Sequence, residues 1–167
     1  MDQDIICDEF ERDAGRVLAL RGDNKTVARL LLSMGIRSQS MARVTLIDAA
    51  GMFNPAFIHR YYKTSKVDVS KMMVARPLSS DELQRIMLRL EQTIRKHRSR
   101  VLVISGLDDL IQKDILNQND RQFLFVSLLD EVVRVTRTLD IVTMIGLSPN
   151  SQFDRLADAR CDFVARV

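Results

Sequence analysis

The chain has 167 residues, a formal net charge of +3 and a pI near 9.1. That length suits one domain, with a core large enough to need no staple, and the mild basic excess permits a nucleic-acid partner without requiring one. Cys7 and Cys161 offer neither a metal spacing nor a disulfide framework, no apolar run reaches the roughly 18 residues of a membrane span, and acidic Met1-Asp2-Gln3-Asp4 opens no secretory signal.

The expectation from these features is a reduced, cytoplasmic protein without a membrane partner. With no Trp and two Tyr, stacking on single strands would rest on few residues.

Strand-like and helix-like runs alternate along the chain. Residues 16–21 form a short apolar run ending at Gly22. Residues 25–34 have helical spacing, with Val27, Leu30, Leu31 and Met34 on one side, and Gly35 is expected to stop them. Residues 43–48 are the second strand. Asn54 before Pro55 is expected to cap a helix reaching about residue 63. Residues 72–75 are a short strand before Pro77.

Ser79-Ser80-Asp81-Glu82 reads as a capping box opening one helix, with Leu83, Ile86, Met87, Leu90 and Ile94 as its stripe. Residues 101–105 are apolar enough to be a strand buried on both faces. A polar stretch, 112–120, has loop character. Residues 121–138 read as a long helix, 141–147 as another buried strand, and 161–167 as a last strand suited to a sheet edge. Alternation with doubly buried strands predicts α/β architecture, a mostly parallel sheet covered by helices on both faces. Ligands of such sheets sit beyond the carboxyl ends of the strands, where Gly22, Asp48, Ser105 and Leu147 fall.

The order and spacing of several motifs resemble the RecA-like recombinase family, in particular the archaeal and eukaryotic strand-exchange proteins and their paralogues. Asp8-Glu9-Phe10 followed by Gly15-Arg16-Val17 looks like the family's lead-in, and Gly15 precedes Gly22 by the family's seven residues. Ile47-Asp48-Ala49-Ala50-Gly51-Met52-Phe53-Asn54-Pro55 is similar to the family's I-D-T-E-G-x-F-x-P. Val74-Ala75-Arg76 and Arg121-Gln122 match further family positions. The resemblance covers roughly residues 8–167. It implies a three-layer RecA-like P-loop NTPase core, with 1–167 as a single ATPase-core domain; the helical DNA-binding domain that often precedes such a core is not expected here, since the first strand begins near Arg16. The Phe-x-x-Ala hook of polymerising members is not matched, because Asp13 stands where its alanine would be.

The working residues are missing. A phosphate loop, G-x-x-x-x-G-K-[ST], puts its lysine six positions after its first glycine; Lys25 follows Gly22 by only three. Backbone N–H groups of a loop cut by half cannot encircle a β-phosphate. Ala50 stands in place of the family's catalytic glutamate and Ser105 in place of its magnesium-binding aspartate. The family often places a polar phosphate sensor after the strand 141–147, and Met144-Ile145-Gly146 offers none. Asp48, Asp108 and Asp109 are nearby acids, the last two assigned to the following turn. Losing loop, base and metal ligand together removes most of the roughly 8 kcal/mol that a catalyst must supply. The expectation is therefore no catalytic residue, no bound metal and no required cofactor. Gly22, Asn24, Lys25, Thr26, Asp48 and Ser105 remain as a vestigial, weak nucleotide site, with ATP and magnesium not expected in it.

Arg95-Lys96-His97-Arg98-Ser99-Arg100 is a dense cationic run. Arg95, Lys96, Arg98 and Arg100 are candidates for phosphate contact with DNA, against the alternative that cations merely complement a helix C-terminus. His59-Arg60-Tyr61-Tyr62-Lys63 mixes aromatic and basic residues, and Ile115-Leu116 suggests protein contact. Three functions follow: a non-catalytic recombinase paralogue that regulates recombination or repair by binding a RecA-type partner or DNA; a divergent ATP-binding protein; or a structural pseudo-ATPase subunit of another assembly, with homo- or hetero-oligomers possible.

Overall fold

The computed structural model describes residues 14–39, 42–54, 56 and 68–167. Among these, six strands form one all-parallel sheet: β1 (Val17–Arg21), β2 (Arg43–Asp48), β3 (Met72–Ala75), β4 (Ser99–Ser105), β5 (Val142–Leu147) and β6 (Phe163–Arg166), in the order β3-β2-β4-β5-β1-β6. The helices are α1 (Asn24–Ser38), α2 (Ser80–Leu88), α3 (Leu90–His97), α4 (Leu107–Gln112), α5 (Gln118–Leu139) and α6 (Asp154–Asp158).

Strand side chains alternate between two cores. In β4, Val101 and Val103 join Leu20, Val44, Leu46 and Met144 beneath α1, which contributes Val27, Leu31, Leu32 and Ile36. Leu102 and Ile104 join Ile47, Ile145 and Leu147 on the other face, beneath α2 to α6. There Leu83, Met87, Leu90, Ile94, Leu129 and Val132 fill the layer, and Phe125 stacks on Phe153 at 4.4 Å. Burial on both faces is why these strands read as unbroken apolar runs. The result is the helix–sheet–helix sandwich expected of a RecA-like core. No helix among the described residues is long and apolar enough to cross a membrane.

Several boundaries differ from expectation. α1 does not stop at Gly35 but runs on to Ser38. Gly35 faces the sheet, where an added Cβ would touch Val103 at 3.5 Å, so close approach offsets its poor helix propensity. The helix opened by Ser79 is broken at Arg89 into α2 and α3, although the stripe continues through Leu90 and Ile94. Ser79 Oγ accepts from Glu82 N–H at 3.2 Å, but the Glu82 carboxylate takes the Leu78 amide at 2.7 Å rather than that of Ser79. Asp108 and Asp109 lie in α4 rather than in a turn. α5 begins three residues early, because Asn117 Oδ1 caps it through Asp120 N–H at 2.9 Å. β6 is an edge strand, as its composition suggested. Asn54 Oδ1 accepts from Ala56 N–H at 2.9 Å, but the helix expected beyond it, with His59-Arg60-Tyr61-Tyr62-Lys63, lies outside the described residues. So does the lead-in Asp8-Glu9-Phe10 with Asp13.

Candidate functional site

Insertion of β4 and β5 between β2 and β1 sets four carboxyl ends side by side. Asp48, Ser105, Leu147 and Gly22 therefore fall in one row at one edge of the sheet, as the sequence predicted. The contacts they make there are almost all internal.

At the end of β1, Gly22 is wedged beneath the last strand. Its N–H donates to Leu147 O at 3.3 Å, and an added Cβ would lie 2.5 Å from Val167 O. No loop arches outward from this position. The chain turns at once into α1, and Asp23 caps that helix. Asp23 Oδ1 accepts from the Lys25 amide at 3.0 Å and from the Thr26 amide at 3.2 Å. These are the groups an anion would need at the helix N-terminus. The Thr26 hydroxyl and the two amides hold the Asp23 carboxyl below its ordinary value. Asp23 was the residue sequence reading missed. An aspartate directly before an apolar-periodic helix is an N-cap signal, but it was masked by the phosphate-loop pattern laid over it. Lys25 and Thr26 are exposed, so the helix end faces solvent with these two donors already occupied.

At the end of β2, Asp48 is buried and fully engaged. Its carboxylate accepts from the Ser105 hydroxyl at 2.9 Å, the Met52 amide at 3.1 Å and the Phe53 amide at 2.7 Å. Arg76 Nε lies 3.6 Å away. Three hydrogen bonds and a guanidinium at ion-pair distance occupy most of the roughly four lone-pair sites of the carboxylate, so Asp48 is the cap of the turn that follows β2. Ser105 spends its proton on Asp48. Ala50 donates its N–H to Ser105 O at 3.0 Å and packs on Gly106, whose φ is +70°; a Cβ at Gly106 would lie 2.6 Å from that of Ala50. Arg76 also donates to Gly51 O.

Between α1 and the ends of β2 and β4, a cavity of about 10 Å³ is lined by Leu31, Leu32, Met52 and Phe53 beside Asp48 and Ser105. That is room for no more than one water. At Gly146 of β5 an added Cβ would meet Val27 at 2.7 Å and Leu31 at 2.8 Å. α1 thus lies directly on the carboxyl end of β5.

Beyond β5, Ser148 ties the edge together. Its amide donates to Asp108 Oδ2 at 2.9 Å and its hydroxyl to Asn24 Oδ1 at 3.0 Å. Asp108 is wholly buried, and that burial raises its carboxyl above the ordinary value, against hydrogen bonds from Ser148, Ser151 and the Asp109 amide. Arg21, also buried, pairs with Asp154 at 3.2 Å and Asp158 at 2.8 Å. Cys161 is half-buried, and its thiol is pushed up to about 12 by burial and the neighbouring Asp162, which leaves little thiolate for nucleophilic work. Among the described residues no group of three His, Cys, Asp or Glu is placed to hold a metal ion.

The cationic run lies at the opposite edge. α3 ends with Arg98 in the left-handed conformation (φ 57°), and β4 starts at Ser99. Arg95 is paired with Glu91 at 2.9 Å. Lys96, Arg98 and Arg100 are exposed, with no ion pair to a described carboxylate. Arg43 pairs with Ser99 in the sheet register and is exposed at the same edge. The two candidate sites of the sequence are therefore separated by the length of the strands. No protein-family model matches the chain, and no curated protein matches it either.

Proposed function

We propose that the chain is a non-catalytic RecA-like recombinase paralogue, an accessory factor in DNA recombination or repair that works by binding a RecA-type protein. One observation carries the reading: the Asp23 carboxylate sits on the two α1 amides that a β-phosphate would need. A triphosphate would have to displace a tethered anion, and the cavity between α1 and the ends of β2 and β4 has room for no more than one water. Binding energy for that displacement is missing, because Asp48 and Ser105 are spent on each other and on the following turn.

Protein contact is favoured by the other end of the sheet. Among the described residues no strand pairs with the outer edge of β3. Beside it lies a mostly apolar cavity of about 230 Å³, lined by Ile47, Met73, Ala75, Ile86 and Leu90 together with Arg85, Arg89, Thr45 and Thr93. An open strand edge with an adjacent apolar socket takes an extended segment, backbone to backbone, with an apolar side chain as anchor. A Phe-bearing hook of a recombinase has that chemistry. This chain would be its acceptor and, with Asp13 in place of the hook's alanine, not its donor.

Titration calorimetry with ATP and magnesium is expected to give no binding heat. Asp23→Ala should then let inorganic phosphate raise the melting temperature, which it does not do for the wild type. A catalytically intact recombinase from the same cells should form a complex that Met73→Glu weakens about tenfold or more. Micromolar ATP affinity, or no complex with any RecA-type protein, would overturn the proposal. A second reading, DNA contact, is favoured by exposed Lys96, Arg98 and Arg100, whose charge no described carboxylate offsets.

A further inference from the structure

Away from both sheet edges, α2 and α5 leave an apolar furrow between them. Met87 and Leu88 line it from α2, Phe123, Leu124 and Leu128 from α5, and Leu116 from the segment before α5. It encloses about 520 Å³. Met87 and Leu128 form a buried floor, whereas Leu88 is 85% exposed and Phe123 75% exposed. Ile115, next to Leu116, is wholly exposed. Single exposed apolar residues need no explanation, but several converging on one concave strip mark an interaction surface. The core does not account for Leu88 or Phe123: each points away from the stripe its own helix buries.

We infer that this furrow receives an amphipathic helix of a partner protein, with apolar anchors and a cation at the Asp120 end. The shape selects a helix. Both walls are helical, so they offer a strand no unpaired backbone groups, and a ridge of side chains at three- and four-residue spacing fits a groove between helices. The lining on α5 runs from Asp120 to Glu131, roughly 16 Å at about 1.5 Å per residue, or three helical turns. Charge selects the partner's polarity. No Lys or Arg lines the furrow, and its two charged lining residues are Asp120 and Glu131. Glu131 is already paired with Arg134 at 2.7 Å, whereas Asp120 has no described ion pair and accepts only a neutral hydrogen bond from Asn117 Nδ2 at 2.6 Å, so its charge is left to attract a cation. A second copy of the chain fits poorly, since a two-fold contact would set furrow against furrow and carboxylate against carboxylate.

The probe is a synthetic amphipathic helix of about four turns, with leucines at i, i+3, i+4 and i+7 and lysines at one end; a comparator carries glutamates in place of the lysines. Fluorescence anisotropy should show saturable binding of the lysine peptide and weaker binding of the comparator. Leu88→Asp with Phe123→Asp should weaken the lysine peptide about tenfold or more, and Asp120→Lys should reverse the preference between the peptides. Both apolar side chains are mostly exposed, so the melting temperature serves as the folding control; should the double variant not fold, Phe123→Ser alone is read. No saturable binding at roughly 1 mM peptide overturns the inference. So does binding that these substitutions leave unchanged. Sedimentation showing a dimer that the double variant dissolves assigns the furrow to a second copy and overturns it equally.

Discussion

The two edges of the sheet use their polar side chains in opposite ways. At the carboxyl edge, Asp23, Asp48, Ser105, Asp108 and Ser148 are tied to one another or to nearby amides. At the amino edge, Arg43, Lys96, Arg98 and Arg100 face solvent. A group already satisfied inside the fold has little left for a ligand, because any new contact must first repay the old one. On the proposed reading, the carboxyl edge, where a RecA-like core would do its chemistry, is structural, and the groups left for contact lie elsewhere on the molecule.

The sharpest way to break this comparison is to remove the carboxylate at its centre. Asp48→Ala leaves the Ser105 hydroxyl and the Met52 and Phe53 amides without their acceptor, and Arg76 without its counter-ion. Charge-assisted hydrogen bonds at a buried site predict a loss of about 3 kcal/mol, read from urea unfolding. Asp48→Asn, which retains one acceptor oxygen, should lose about half of that. A residue kept for vanished catalysis would be replaced at little expense in stability, so a loss near zero would reverse the structural reading of this edge.

Why the row of strand ends was legible in the sequence and its closure was not follows from the range of the contacts. Apolar runs 101–105 and 141–147 announce strands locally, since burial on both faces leaves no polar position. The short Gly22-to-Lys25 step is also visible in one dimension. Contact of Gly22 with Val167, of Gly146 with Val27 and Leu31, and of Asp48 with Ser105 joins residues far apart in the chain, and no local pattern encodes such pairs. Asp23 is a different case. Its capping role is local and readable, but the family motif claimed the same five residues for a ligand. The α2/α5 furrow was half visible: Ile115 and Leu116 stood out within a polar stretch, whereas Leu88 and Phe123 were indistinguishable from core residues until both helices had a face.

A finer test separates the two acids of the carboxyl edge by sign. Burial raises the Asp108 carboxyl above its ordinary 3.8. Its folded form therefore favours the proton, and its contribution to stability is fully present below the unfolded value and is lost as pH rises through the folded one. Asp23 runs the other way. Held below its ordinary 3.8, it stabilises above that value, and this is lost as pH falls. Unfolding free energies measured in urea from pH 3 upward should therefore show a decline with rising pH that Asp108→Asn removes. Asp23→Ala should remove the opposite slope at the acid end. Equal slopes in wild type and both variants would mean that neither carboxylate is engaged as described.

The smallest effect on stability is expected at the amino edge, and it carries the most information about partners. Arg98→Glu with Arg100→Glu touches two exposed side chains with no described ion pair, so stability should change by no more than about 0.5 kcal/mol. If this edge meets nucleic acid, single-stranded DNA should bind at low salt, and affinity should fall steeply as salt rises. The double variant should lower the salt slope by roughly two phosphate contacts and weaken every sequence alike. Phosphate contact and helix-end complementarity differ in this readout: cations that only neutralise the C-terminus of α3 would give no binding to lose, while their replacement by glutamates would lower stability measurably. A double variant that melts early and never bound DNA in its native form would mean that the amino edge, too, is spent on the fold, leaving the β3 edge and the α2/α5 furrow as the surfaces through which the molecule acts.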